Sequence, residues 1–120
     1  MKPVFLIEER TLEANGESIP LAVAVNPNQL LQLTLGITRA TEQSSLDVVI
    51  HSSADGQEWS AKPIAEFPQK FYKGVSALLL DLSTFPGASF LQARWKLNRW
   101  GRGPLNATFG VYVFVDGLKS

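Results

Sequence analysis

The chain has 120 residues, 45% of them apolar, which suits one globular domain over 1–120 and excludes a disordered polymer. Its 11 basic and 11 acidic side chains cancel, so no overall charge marks it for nucleic acid or an anionic membrane. Cysteine is absent, which excludes disulfides, thiolate metal sites and a cysteine nucleophile and fits a reducing compartment.

The opening stretch, "MKPVFLIEER", holds an apolar run too short for a signal-peptide core, and no run of transmembrane length follows. No membrane contact is expected, and the expected location is the cytoplasm. Short strands are predicted around Val4–Glu8 and Leu21–Val25. In "LLQLTLGIT" the residues Leu31, Leu33, Leu35 and Ile37 alternate with polar or small ones, giving one apolar face. In "SLDVVIHSS" the apolar face is Leu46, Val48 and Ile50, and parity puts Asp47 and His51 on a solvated one.

The turn "SADGQEW" follows. Asp55 bonds its own backbone and Gly56 supplies the positive φ of a tight return, so that Trp59 folds back to close one end of the core. A weak strand at Ile64–Phe67 leads to the loop "QKFYKG", which sets Phe71 and Tyr72 between Lys70 and Lys73. "SALLLDLS" then places Leu78, Leu80 and Leu82 on one face. In "FLQARWKLN" the residues Leu91, Ala93, Trp95 and Leu97 face the core, while Gln92, Arg94 and Lys96 form a wet face that blunts a sheet edge. The final strand, "ATFGVYVFV", buries Phe109, Val111, Val113 and Val115, with Tyr112 and Phe114 opposite. No segment combines a helical period with end caps. These elements predict an all-β fold, a single antiparallel β-sandwich of about eight strands with little or no helix.

Charge is unevenly distributed along the chain. Residues 1–61 carry three basic side chains (Lys2, Arg10, Arg39) and eight acidic ones (Glu8, Glu9, Glu13, Glu17, Glu42, Asp47, Asp55, Glu58). Residues 62–102 carry seven basic (Lys62, Lys70, Lys73, Arg94, Lys96, Arg99, Arg102) and two acidic (Glu66, Asp81). Strands interleaved from both halves would mix these charges; a bipolar surface would favour self-association or an acidic partner.

Raw material for catalysis is scarce. The single histidine rules out a histidine-rich metal site, and nothing around the carboxylate pairs Glu8–Glu9, Glu13–Glu17 or Asp55–Glu58 would raise one pKa above the other. "GRGP" lacks the lysine and hydroxyl residue of a phosphate loop. A non-enzyme with no cofactor and no metal is the expectation. Asn106-Ala107-Thr108 matches a glycosylation sequon and is read as chance.

The segment "ARWKLNRWGRG" is the most suggestive. Trp95 is in register with the core, but Trp100, Arg99 and Arg102 lie in a glycine-rich loop where no core parity claims them. They form either a contact site or a cap on the sandwich, and Phe71 and Tyr72 share that ambiguity. Aromatic rings flanked by guanidinium groups are the residue types enriched at interface hot spots, and a loop tryptophan or tyrosine can also stack on a sugar.

The run of "LDVVIHSSADGQEW", "FPQKFYKG", "FLQARWKLNRWGRGP" and "ATFGVYVFV" resembles small β-sandwich proteins of tailed-phage, prophage and related bacterial genomes. The "S-DG--W" hairpin followed by "-aR" also resembles the discoidin, or galactose-binding-like, jelly rolls. The resemblance covers nearly the whole chain from Leu30 onward, and "ERTLEANGESIPL" fits it too. It implies a jelly-roll fold and a structural or assembly role, in a virion if the chain is phage-derived, with the chain itself or other structural proteins as partner. The discoidin likeness implies a glycan as the alternative partner, but the cysteine pair and loop ligands of sugar-binding members are missing.

Overall fold

The computed structural model describes residues 4–23, 30–85, 87–100 and 107–118. They form two antiparallel sheets packed face to face, nearly all strand. The first sheet is built from β1 (Val4–Leu12), β4 (Leu30–Ala40), β7 (Gly74–Asp81) and β9 (Phe109–Leu118), in the order β1-β9-β4-β7. The second contains β2 (Gly16–Glu17), β3 (Leu21–Ala22), β5 (Ser44–Ser53), β6 (Ala65–Glu66) and β8 (Phe90–Arg99), with β8 between β5 and the short β2 and β3. β2 and β3 pair with successive stretches of β8, Trp95–Arg94 and then Leu91–Phe90, so they act as two halves of one strand position. A single 3₁₀ turn, Leu82–Thr84, follows β7 and is capped by Asp81, whose Oδ1 accepts from the Ser83 amide at 2.9 Å and hydroxyl at 2.6 Å.

The alternation read in the sequence is the alternation of burial. Leu31, Leu33, Leu35 and Ile37 meet Leu46, Val48, Ile50, Leu91, Ala93 and the Phe109–Val115 series in one core cluster. Each is an inward position of a strand whose neighbours point away, so the two apolar faces interdigitate. Trp95 belongs to this cluster. Its indole Nε1 donates to the Ala14 carbonyl at 3.0 Å, and the Arg10 guanidinium lies 5.6 Å from the ring centroid. The buried N–H is therefore satisfied, and a cation covers part of the ring.

The outer face of the first sheet is aromatic. Tyr112 stacks on Phe114 with centroids 6.1 Å apart, and Phe5 meets Phe114 edge-on at 6.2 Å. Tyr112 lies directly over its cross-strand partner Gly36, where an added Cβ would sit 2.0 Å from the ring. The glycine is needed there because the phenol fills the space of the missing side chain.

Two expectations for the second sheet are corrected. His51 is not solvated: it is 6% exposed, and its Nδ1 donates to the Ser60 carbonyl at 2.9 Å. The chain beyond Ser53 turns back along β5, with the Ser60 amide on Ser52 O and the Ile64 amide on Ile50 O, and covers the face that parity left open. Gln92, the cross-strand partner of His51, is buried for the matching reason on the other side, donating to Ser18 O at 3.0 Å. β8 is also not an edge. Arg94 and Lys96 stand on an interior strand, Arg94 3.7 Å from Glu17 of β2 and Lys96 opposite Asp47 of β5, which mixes the charges of the two halves of the chain.

Trp95→Ala should cost about 3–5 kcal/mol of stability, the usual cost of deleting a large core aromatic, because it empties a packed site and orphans the Ala14 carbonyl. The midpoint of a urea titration reads this directly.

Candidate functional site

Three of the aromatic residues singled out in the sequence come together. Phe71 and Tyr72 lie in the loop before β7, Trp100 directly after β8, and the rings of Phe71 and Trp100 meet edge to face at 5.8 Å. Tyr72 packs at a tilt on Phe71, 6.3 Å between centroids. The cluster is open to solvent: Tyr72 is 81% exposed, Trp100 55% and Phe71 38%.

β5 places both loops. On one side its first residue, Ser44, pairs with Arg99, and the Trp100 amide donates to Gln43 O at 3.0 Å. On its other side Leu46 and Lys70 exchange two backbone hydrogen bonds, of 2.8 and 2.9 Å. Gln69 ties the same segment down through Ser45 Oγ and Asp47 Oδ2, each at 3.2 Å. Phe71 and Trp100 thus emerge on the two flanks of one strand end and close over it. A recess of about 240 Å³ runs from the cluster toward the first sheet, lined by Gln69, Phe71, Tyr72, Lys73, Ile37 and Val75. Arg99 is half-buried beside Trp100. Arg102 lies outside the described residues.

The Asp55 turn stands apart from this cluster. Asp55 Oδ1 accepts from the amides of Gln57 at 2.8 Å and Glu58 at 2.9 Å and from the Ser53 hydroxyl at 3.0 Å. Ser53 Oγ in turn accepts from the amide of Gly56 at 2.9 Å. Gly56 has φ +81°, a conformation in which a side chain is strained, and it lies against the Phe90 ring. Trp59 is half-buried and forms an antiparallel bridge with Ser53. It does not close the core end: among the described residues, this part of the chain contributes Phe67 to the core, with Ile64 and Ala65 packed against it. The Asp55 carboxylate and the Ser53 hydroxyl are thus engaged in holding the turn itself. Among the described residues no three of His, Asp and Glu converge to hold a metal ion, and no helix is long and apolar enough to cross a membrane.

No protein-family model matches the chain, and no curated protein sequence matches it either. A solved structure does. The crystal structure of the SPBc2 prophage-derived protein YomS aligns with a TM-score of 0.54 at 10% sequence identity, covering 96% of this chain and 92% of that one. The likeness is one of fold. It spans both sheets.

The convergence of Phe71 and Trp100 was beyond the sequence, because the two loops are far apart in the chain and meet only through their separate pairings with β5. The burial of His51 was hidden for the same reason, since strand parity reports a face and not what folds over it.

The backbone amides of Glu58 and Gln57 and the Ser53 hydroxyl hold the Asp55 carboxyl below its ordinary value of 3.8. A carboxylate with a depressed folded-state pKa contributes stability that is complete above its unfolded value and is lost as pH falls through the folded one. Asp55→Asn should therefore lower Tm at neutral pH and flatten the fall of Tm below about pH 4, leaving the part owed to Asp81, which Ser83 holds low in the same way. Thermal melts of both proteins across that range check it.

Proposed function

We propose that the protein is a non-enzymatic, phage-related β-sandwich that acts as an assembly component, docking through the Phe71–Tyr72–Trp100 cluster onto a second copy or another structural protein. The observation that carries this is the meeting of exposed aromatic rings from two loops on one corner of a rigid scaffold. Large aromatic side chains cost free energy in water, and a monomer has no packing reason to hold three of them together at its surface. They are also the residue types that anchor interfaces. Phe71 and Trp100 meet edge to face and Tyr72 lies tilted on Phe71, so the rings project as a knob rather than as a flat sugar platform. Lys70 and Lys73 flank the knob and favour a partner surface bearing carboxylates.

The strand order supports reading the sandwich as a jelly roll. With β2 and β3 counted as one position, every connection except β5 to β6 crosses from one sheet to the other, the pattern of two interleaved Greek keys. The fold-level likeness to a prophage-derived protein supports the phage-related reading.

Trp100→Ala should leave stability within about 0.5 kcal/mol, as expected for an exposed substitution, and weaken association by roughly 30-fold, the effect of removing a hot spot of about 2 kcal/mol. Light scattering on sized fractions at low and high salt, alongside thermal melts, measures both. A large drop in Tm with association unchanged would mean that the ring belongs to the fold rather than to an interface.

A further inference from the structure

An edge strand offers a row of unpaired backbone groups to any extended chain that meets it, and sheets carry recognisable safeguards against this. Three of the four sheet edges here have one. β1 is broken by register shifts between Phe5 and Ile7 and between Ile7 and Arg10, and it carries Glu8, Glu9 and Arg10 in its middle. The second sheet ends on both sides in two-residue strands, β6 at one edge and β2 with β3 at the other.

The fourth edge, β7, is unguarded. It pairs with β4 without a shift from Gly74 to Asp81, has no proline, and carries no charge before its last residue. Among the described residues no strand pairs with its other side. Val75 and Leu79, 68% and 61% exposed, stand on its outward face on either side of the exposed Ala77.

We propose that β7 pairs antiparallel with β7 of a second copy, in the register centred on Ala77, joining two four-stranded sheets into one of eight strands. The inference rests on the reading of the protein as one that associates, but it uses none of the rings of the aromatic cluster. Charge selects the occupant and the register. Lys73 precedes the strand and Asp81 ends it, both exposed, with Ala77 midway between them. A twofold axis at Ala77 sets each Lys73 opposite Asp81 of the other copy, and each Val75 opposite Leu79. Parallel pairing would oppose Asp81 to Asp81, and a slip of two residues would leave every one of these charges unopposed. The contact is isologous and closed, so it makes a dimer and stops there.

The absence of cysteine makes the test clean. Directly opposed antiparallel residues have Cα atoms about 4.5–5.5 Å apart, within the span a disulfide bridges. Under mild oxidation Ala77→Cys should cross-link to a dimer, as should the double variant Val75→Cys with Leu79→Cys, whereas Val75→Cys alone should not. Leu79→Lys, an exposed substitution that leaves the far-UV spectrum unchanged, should raise the dimer dissociation constant by on the order of tenfold or more. Retention of the dimer in Leu79→Lys, or failure of Ala77→Cys to cross-link, overturns the proposal. If Trp100→Ala dissociates the protein while Leu79→Lys does not, the edge inference falls and the aromatic docking reading stands. A wild-type monomer at high concentration also overturns the edge inference, leaving the aromatic cluster to be tested against a different protein.

Discussion

The unbroken pairing of β5 with β8, from Ser44 opposite Arg99 to Ser53 opposite Phe90, is the constraint on which the rest of the structure depends. Strand side chains alternate with a period of two, so a slip of one residue between the strands would turn either Leu46, Val48 and Ile50 or Leu91, Ala93 and Trp95 out of the core. The same register sets His51 opposite Gln92, where loops from both sides cover the pair, and brings Trp100 to the end of β5 where Phe71 can reach it. Core and candidate site are thus two readings of one ladder. The inner face holds the sheets together, and the ladder's end aims the aromatic loops.

Much of this was legible in the residues, and the parts that were not share a cause. Leu31 to Ile37, Leu46 to Ile50 and Phe109 to Val115 alternate so regularly that strand identity and core face follow from periodicity alone. Periodicity says which side of a strand is apolar. It does not say which strand lies next to it. So β8, with Arg94 and Lys96 on its polar face, read as a protected edge when it is an interior strand whose charges meet Glu17 and Asp47. His51 read as solvated because the covering segment around Ser60 has no signature of its own. Trp59 read as a plug for the core, although the turn before it was correctly seen to need glycine at position 56. One signal was available and passed over: three consecutive leucines in β7 must put the middle one, Leu79, on the outside.

The outer face of the first sheet shows how backbone and side chain compensate each other. Gly36 gives no side chain to its strand, a weakness in an isolated sheet, and Tyr112 from the neighbouring strand lies over the gap and stacks on Phe114. The aromatic surface is therefore partly structural, and exposure alone does not mark a ring as a contact residue. Tyr112 differs from Tyr72 and Trp100 in lying on a strand against the glycine of its neighbour, whereas those two belong to loops.

The position of β9 has a consequence for how the protein is made. It lies between β1 and β4, yet it is the last of these strands to leave the ribosome. Until then β1 has no partner within the first sheet, and the inward faces of β5 and β8 lack the Phe109–Val115 wall of the core. Before β9 emerges, cotranslational folding can assemble the β5–β8 ladder but cannot close the sandwich, so the chain keeps apolar surface in water until then. Sheets woven from such distant partners also close slowly, in milliseconds to seconds rather than microseconds. The nascent chain is therefore the form of this protein most in need of a chaperone.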